Sequence, residues 1–249
     1  MNLKETPTGP ASEFDEDRCR SKMEENARKI GELQVKLYAE ASQSLLVVFQ
    51  GMDAAGKDGA IKKVFSEVNP MGCHVICFKK PTSLEYSHDF LWRIHQHCPP
   101  HGMIHVFNRS HYEDIIVPTV EGYIDSKIVK KRYGQINDFE EMLEENGTSI
   151  VKFLLHVSKD EQKERLEERM TRSEKFWKHN DGDWVARKKW DKYLEVHEEI
   201  VKKCDRVPWH VIPSDKNWYK EMLVSDAVLE KMEKMAPEYP PLDTSMDRD

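Results

Sequence analysis

The sequence predicts an α/β fold in which a parallel sheet of about five strands lies between two layers of helices. Short apolar runs alternate along the chain with longer charged segments whose apolar residues recur at helical spacing. Strands that alternate with helices are joined by crossovers, and such connections produce a parallel sheet covered on both faces. The first apolar run also breaks directly into a glycine-bounded loop that is followed by a helix.

The predicted elements follow one another without internal repeats. Strands are predicted at 45–50, 73–78, 103–107, 150–157 and 209–212. Helices are predicted at 15–43, 57–68, 86–97, 124–145 and 215–235, because each combines charged residues with a periodic apolar face. Residues 1–14 are interpreted as a flexible leader and the proline-rich, acidic residues 236–249 as a flexible tail, which leaves one domain at 15–235.

The segment 159–204 is interpreted as a helical lid. It reads as two very charged helices with a break near 179–182, and Ser158 is a natural cap for the first of them. Its apolar positions look too few for the core, so we expect the segment to lie over a binding site.

Composition limits the classes of function. The chain has 249 residues, of which 33% are charged and 39% hydrophobic, as expected for a soluble enzyme. A net charge of −7 argues against nucleic-acid binding, so any anion site must be a local concentration of Lys and Arg. Five scattered cysteines indicate a reducing compartment. Neither a signal peptide nor a membrane-spanning stretch is visible, and a cytoplasmic protein is therefore predicted.

The loop after the first strand matches a phosphate-binding loop (P-loop). Gly51, four intervening residues, Gly56 and Lys57 have the required spacing. Glycines allow backbone N–H groups to curl around an oxyanion, the following helix offers its positive end, and the lysine adds a point charge. The predicted phosphate-binding residues here are Gly51, Ala54, Ala55, Gly56, Lys57, Asp58 and Gly59.

This loop departs from the common form because Asp58 stands where Ser or Thr normally holds Mg²⁺. A second acid, Asp53, lies inside the loop, where a carboxylate would repel a bare phosphate chain. We interpret Asp53 as a metal-linked residue, directly or through water. The alternative is that Asp53 makes only a local turn hydrogen bond.

A second polar stretch follows the third strand, where Asn108 and Arg109 precede Glu113 and Asp114. In P-loop proteins an acid at such a strand end orients magnesium, and here the weaker ligand Asn108 takes that position. Arg109 is predicted to direct its planar charged fork at phosphate oxygens, because strand ends form the ligand crevice of open α/β sheets. The alternative is a structural ion pair with Glu113 or Asp114.

Four segments together resemble the polyphosphate kinase 2 family, most closely its class III branch. They are GMDAAGKDGAI, FKKPTSLEYSHDFLWR, FNRSHYED and PWHVIPSDKNW, and the match runs over about residues 20–235 in the same order. The resemblance implies a three-layer P-loop kinase-like fold with a helical lid. It also implies reversible, Mg²⁺-dependent transfer of phosphoryl groups between inorganic polyphosphate and nucleotides (AMP to ADP, ADP to ATP). Mn²⁺ is expected to replace Mg²⁺, and guanine nucleotides are further candidate substrates. Family members generally form homo-oligomers, dimers or tetramers.

The resemblance also implies roles for individual residues. Catalytic roles fall on Asp53, Lys57, Arg109 and Glu113, and metal binding on Asp53 and Asn108. Phosphate contacts outside the loop fall on Lys79, Arg165 and Arg169, and nucleotide contacts on Asp89, Arg93, Asn108, Arg109, Glu113 and Lys178. Pro118 and Thr119 stand where the family has a basic residue and a histidine, which puts phosphate contacts there in doubt.

Alternatives stay open for two residues and for the function. Arg165 and Arg169 lie four apart on a glutamate-rich helix, and a solvated salt-bridge face is the default interpretation of such a run. At the level of function, an ATP-dependent nucleotide kinase of the same fold and a P-loop module without catalysis remain the competing hypotheses.

Overall fold

The computed structural model describes residues 2–242 and confirms the parallel α/β sheet. Its five strands are β1 (Ser44–Gly51), β2 (Cys73–Cys77), β3 (Ile104–Asn108), β4 (Thr148–His156) and β5 (Trp209–Pro213). They pair in the order β2-β3-β1-β4-β5, and every pairing is parallel. The strand predictions therefore agree with the structure to within about two residues at each end.

Helices account for most of the remaining chain. They are α1 (Glu16–Glu40), α2 (Lys57–Val64), α3 (Ser83–Tyr86), α4 (Trp92–His95), α5 (Glu113–Glu121), α6 (Ser126–Glu145), α7 (Lys159–Thr171), α8 (Asp181–Lys188), α9 (Trp190–Lys203) and α10 (Asn217–Met235). Two 3₁₀ segments, Pro70–Gly72 and Ser173–Lys178, complete the regular structure of residues 2–242. In that same part of the chain, no helix combines the length and the apolar character needed to cross a membrane.

The sheet separates two hydrophobic clusters, because successive side chains of a strand point to opposite faces. Val47 and Phe49 of β1 pack with residues of α1, α2 and α10 on one face. Leu46 and Val48 pack with residues of α5, α6 and α9 on the other. Residues 45–49 are fully buried, which explains why this strand reads as a continuous apolar run.

Strand register places the two polar stretches beside each other. Phe49 of β1 lies opposite Asn108 of β3, and Gly51 lies opposite Leu155 of β4. Both β1 and β3 therefore end at the same edge of the sheet, where the P-loop and the segment beginning at Arg109 emerge side by side.

The helix predicted at 86–97 is wrong as a single element. The chain forms two short helices there, α3 and α4, separated by residues 87–91. Asp89 Oδ1 accepts a hydrogen bond from the N–H of Leu91 at 2.9 Å, a local turn that competes with a continuous helix.

The expectation that 159–204 stays out of the core is wrong for its second half. Trp190, Val196 and Ile200 of α9 are buried, and Val196 and Ile200 pack in the same cluster as α5. The many charges of α9 occupy its outer face, so they concealed an amphipathic helix. Residues 159–188 have few buried apolar side chains, and their role as a lid remains a prediction.

The N-terminal segment is attached rather than loose. Leu3 is 1% exposed, its N–H donates to Glu198 at 3.1 Å, and Thr8 Oγ1 donates to Asp215 at 2.7 Å. At the other end, residues 236–242 form no helix or strand, and the rest of the predicted flexible tail, 243–249, lies outside the described residues.

Candidate active site

Three positions give the P-loop its shape. Gly51 has φ 145°, Ala54 has φ 65° and Gly56 has φ 95°, all in the region that favours glycine. At Gly51 a Cβ atom would approach the carbonyl oxygen of Leu155 to 2.6 Å, so only glycine fits. The loop ends at the first residue of α2, and the unpaired N–H groups of that helix lie where an anion can bind.

Lys57 is held inside this loop. Its Nζ donates to the carbonyl oxygens of Gly51 at 2.8 Å and Met52 at 3.2 Å, and the residue is 7% exposed. Burial lowers the pKa of Lys57, the charge of Arg109 lowers it further, and the carboxylate of Asp53 opposes both effects. An incoming phosphate would supply the negative charge that this buried ammonium lacks.

Arg109 lies at the centre of the site. Its backbone has φ 63°, a left-handed conformation that a non-glycine residue adopts at a cost of roughly 1–3 kcal/mol and that is concentrated at functional sites. Its guanidinium forms an ion pair with Asp53, rather than with Glu113 or Asp114. The structure therefore brings together the acid and the arginine that the sequence placed 56 positions apart.

A second polar link joins the loop to the predicted lid. Asn108 Nδ2 donates to Asp58 Oδ1 at 2.8 Å, and Lys178 Nζ contacts Asp58 Oδ2 at 2.8 Å. Burial raises the pKa of Asp58, but the hydrogen bonds from Lys178 and Asn108 outweigh this effect and leave the pKa below its ordinary value.

These groups line a cavity of about 980 Å³ between the P-loop and residues 165–183. Its lining includes eight basic residues outside the P-loop: Lys79, Lys80, Arg109, Arg165, Arg169, Arg172, Lys175 and Lys178. A concave site with this many cations in a chain of net charge −7 is suited to a polyanion.

Glu113 lies on the other side of the Asp53–Arg109 pair. It lines a second cavity of about 50 Å³ together with Tyr193 and His197, and Asp53 and Arg109 line both cavities. Gln50 Nε2 donates to Glu113 Oε1 at 2.9 Å, which fixes the carboxylate at the start of α5.

Arg165 was predicted either to contact phosphate or to lie on a solvated face, and the structure shows a third use. Its side chain is 14% exposed and pairs with Glu161 at 2.9 Å. It also donates to the carbonyl oxygens of Ala54 at 3.0 Å and Ser214 at 2.7 Å. Arg165 thus ties α7 to the P-loop, with little of its guanidinium left for a ligand.

Arg169 is arranged differently. Its Nη1 donates to Asp183 at 2.6 Å and to the carbonyl oxygen of Lys178 at 3.1 Å, so the arginine joins α7 to α8 and to the 3₁₀ segment. Arg169 lines the main cavity, as the sequence predicted for a phosphate contact.

Asp89 and Arg93 are not brought to either cavity. Asp89 is exposed and caps its local turn. Arg93 is 5% exposed, pairs with Asp114 at 3.0 Å and donates to the carbonyl oxygen of Lys79 at 2.9 Å. Their predicted nucleotide contacts are therefore not supported by position, and Arg93 instead holds Lys79 in place at the cavity wall.

Sequence reasoning missed several residues of the site. Lys80, Arg172 and Lys175 line the main cavity, and their adjacency to predicted residues was the available signal. Gln162 Nε2 donates to the carbonyl oxygen of Asp53 at 3.1 Å, and Lys220 lies buried against Gly56. No pattern in the sequence marks the last two.

Replacing Gly56 by alanine is expected to lower the free energy of unfolding by about 1–3 kcal/mol and to abolish phosphate binding. Its φ of 95° strains any other residue, and an added Cβ would collide with Nζ of Lys220. Thermal unfolding and tripolyphosphate titration measure the two effects. Gly134→Ala in α6 is the matched control, since among the described residues no atom beyond its chain neighbours and the local helix backbone lies within 4 Å of the added Cβ. Equal unfolding midpoints for the two variants would contradict the prediction.

Comparisons with known proteins assign the chain to a family of enzymes. The sequence profile of polyphosphate kinase 2 matches residues 13–240. The chain is 46% identical over 223 residues to the AMP/ADP-polyphosphate phosphotransferase of Meiothermus ruber, covering 89% of this chain and 84% of that protein. It is 40% identical over 226 residues to the ADP-polyphosphate phosphotransferase of Rhodopseudomonas palustris, covering 85% and 78%. The crystal structure of polyphosphate kinase 2 from Arthrobacter aurescens matches with a TM-score of 0.94 at 36% identity, covering 99% of this chain and 90% of that chain.

Proposed function

Because the chain belongs to the polyphosphate kinase 2 family, we propose that it transfers phosphoryl groups from inorganic polyphosphate to AMP and ADP. The chain is a phosphotransferase, and similar proteins are named for polyphosphate with AMP, ADP or both. The observation that carries the proposal is the position of the Asp53–Arg109 pair, which lines both the large basic cavity and the small one beside Glu113. A donor polyanion and an acceptor phosphate can therefore approach the same arginine from two sides.

In the proposed reaction an anionic oxygen of the acceptor phosphate attacks the terminal phosphorus of the polyphosphate. The bond from that phosphorus to its bridging oxygen breaks, and the shortened chain leaves with the electron pair. The attacking oxygen is already anionic, so a strong general base is unnecessary, and catalysis depends on positioning and charge neutralisation. The P-loop amides and Lys57 hold the transferring group, and Arg109 neutralises its oxygens.

The contacts of two cations, Lys57 and Arg109, must rearrange for this to happen. Lys57 now donates to two loop carbonyls, and Arg109 pairs with Asp53. Phosphate oxygens would take over as partners of both cations, and Asp53 would be released. We propose that Arg169 and Lys178 approach the ligand from the lid side, and that Glu113 orients the acceptor.

We propose magnesium as the cofactor, because the donor atoms fit it. The described residues contain no group of three or more His, Cys, Asp or Glu side chains that could hold a metal alone. Magnesium is usually held by one or two carboxylates together with substrate phosphates and water. Asp53 and Asn108 line the cavity and offer oxygen atoms, so they would hold the ion. The ion would neutralise charge on neighbouring phosphate oxygens, and Mn²⁺ suits the same oxygen ligands.

Further features remain proposals about this chain. We propose a cytoplasmic enzyme that works reversibly, accepts AMP as well as ADP and assembles as a homo-oligomer. Guanine nucleotides are further candidate acceptors.

The test of the main proposal is a coupled assay with long-chain polyphosphate and Mg²⁺, in which AMP and ADP are offered separately. Phosphorylated product from both acceptors, absent with Lys57→Ala, is the expected result. Product only with ATP as donor would instead favour the conventional nucleotide kinase.

A further inference from the structure

Lys220 is a buried amine that the proposed mechanism does not use. It lies in the first turn of α10 and is 0% exposed. Its Nζ donates to Asn217 Oδ1 at 2.7 Å, and no hydrogen bond joins it to a carboxylate of residues 2–242. A lysine buried with one hydrogen bond retains donor capacity that its surroundings leave unmet.

The position of this amine relates it to the P-loop. A Cβ atom at Gly56 would collide with Lys220 Nζ, so the amine packs directly against the glycine. Gly56 lines the main cavity and Lys220 does not, so the amine lies behind the cavity wall, in contact with the glycine. Because glycine has no Cβ, Gly56 also leaves room for the Lys220 side chain behind the phosphate-binding loop.

Charged groups of three helices act on this amine. Arg165 and Glu161 approach from α7, Lys57 from α2, and Glu221 from α10 itself. Burial lowers the pKa of Lys220 to about 7, Arg165 and Lys57 act in the same direction, and Glu221 and Glu161 oppose them. The protonation state of the amine is thus sensitive to any new negative charge in the loop.

We propose that Lys220 is a further positioning residue of the phosphate site, a buried amine that accepts a proton from solvent when a polyphosphate anion occupies the loop. Its lone pair takes the proton, the ammonium forms behind Gly56, and no bond to the ligand is made. The added positive charge strengthens anion binding to the loop amides. This inference rests on the proposed function for the identity of the ligand, and its consequence is tighter polyphosphate binding as pH falls toward neutrality.

The test compares tripolyphosphate dissociation constants for the wild-type chain, Lys220→Met and Lys216→Met at about pH 6.5 and about pH 9. Lys220→Met is expected to weaken binding about tenfold at the lower pH and by a factor near one at the higher pH, where the wild-type amine is already neutral. Lys216→Met removes an exposed charge from the same turn and is expected to leave both constants within about twofold. The ligand's own protonation cancels in each ratio.

Calorimetry in buffers of different ionisation enthalpy supplies a second readout. At about pH 7.5 the wild-type chain should take up about half a proton more on binding than Lys220→Arg, which stays charged throughout. An equal loss of affinity at both pH values, or equal proton uptake in the two chains, would assign Lys220 a purely structural role and overturn the inference. Failure of the wild-type chain to bind tripolyphosphate at either pH would overturn the proposed function as well, so the two failures are distinguishable.

Discussion

Replacement of Arg109 by alanine is expected to lower kcat for polyphosphate-dependent phosphorylation of ADP by about 10³-fold. The guanidinium lines both cavities and is the cation positioned to neutralise oxygens of the transferring group. Because this charge develops most fully in the transition state, the loss should appear mainly in kcat rather than in KM. Steady-state kinetics with saturating polyphosphate and Mg²⁺ measure the effect.

Two matched variants separate chemistry from backbone conformation at this position. Arg109→Gly removes the guanidinium and relieves the positive φ of 63°, so it should be as inactive as alanine but more stable. Arg109→Lys retains a charge and loses the planar fork, and an intermediate rate is expected. Turnover of Arg109→Ala within about threefold of wild type would remove Arg109 from the mechanism.

The residues that determine the backbone conformation of the P-loop could be predicted from the sequence. Gly51, Gly56 and Lys57 follow a fully buried strand, and a glycine spacing of this kind has few structural uses other than an anion loop. The strands were predicted well because each is a short apolar run between turn signals. Topology predicted that Arg109 would lie at the ligand crevice. The register of β1 against β3 also brings it to Asp53, an ion pair that the sequence analysis did not predict.

The contact partners of individual side chains could not be predicted from the sequence. Arg93 and Arg165 have the composition of phosphate-binding residues, and both are used by carbonyl oxygens and carboxylates of the chain itself. Charge content also concealed the amphipathic character of α9, where Trp190 and Ile200 bury one face of the helix. Such outcomes depend on which element packs opposite, and one sequence does not contain that information in readable form.

Replacement of Glu140 by alanine is expected to lower the free energy of unfolding by about 3–5 kcal/mol. Glu140 is fully buried, pairs with Lys152 at 2.6 Å and accepts a hydrogen bond from Tyr112 at 2.7 Å. Without it, the equally buried ammonium of Lys152 would lose its counter-charge. Urea denaturation measures the change. The control is Glu141→Ala, which removes a half-buried neighbouring acid from a surface ion pair with Arg206 and has an expected effect below about 1 kcal/mol.

The same carboxylate predicts an acid limit to stability. Burial raises the pKa of Glu140, but the hydrogen bond from His111 and the charge of Lys152 outweigh burial, and the pKa lies below its ordinary value. A depressed carboxyl pKa contributes stability that is present above the ordinary pKa and is lost as pH falls through the folded-state pKa. The wild-type chain should therefore lose more stability than Glu140→Gln when the pH is lowered through the ordinary range of a glutamate.

A double variant, Glu140→Leu with Lys152→Met, distinguishes stability from positioning. Removing both charges together should recover most of the lost stability, because replacing a buried ion pair by apolar residues of similar size is often close to neutral. Tyr112, which donates to Glu140, lies between Arg109 and Glu113, so the buried network also fixes the segment that carries both. We expect the double variant to unfold near the wild-type midpoint and yet to lose about tenfold in kcat. Wild-type kcat in that variant would show that the network supports the fold without orienting the active site.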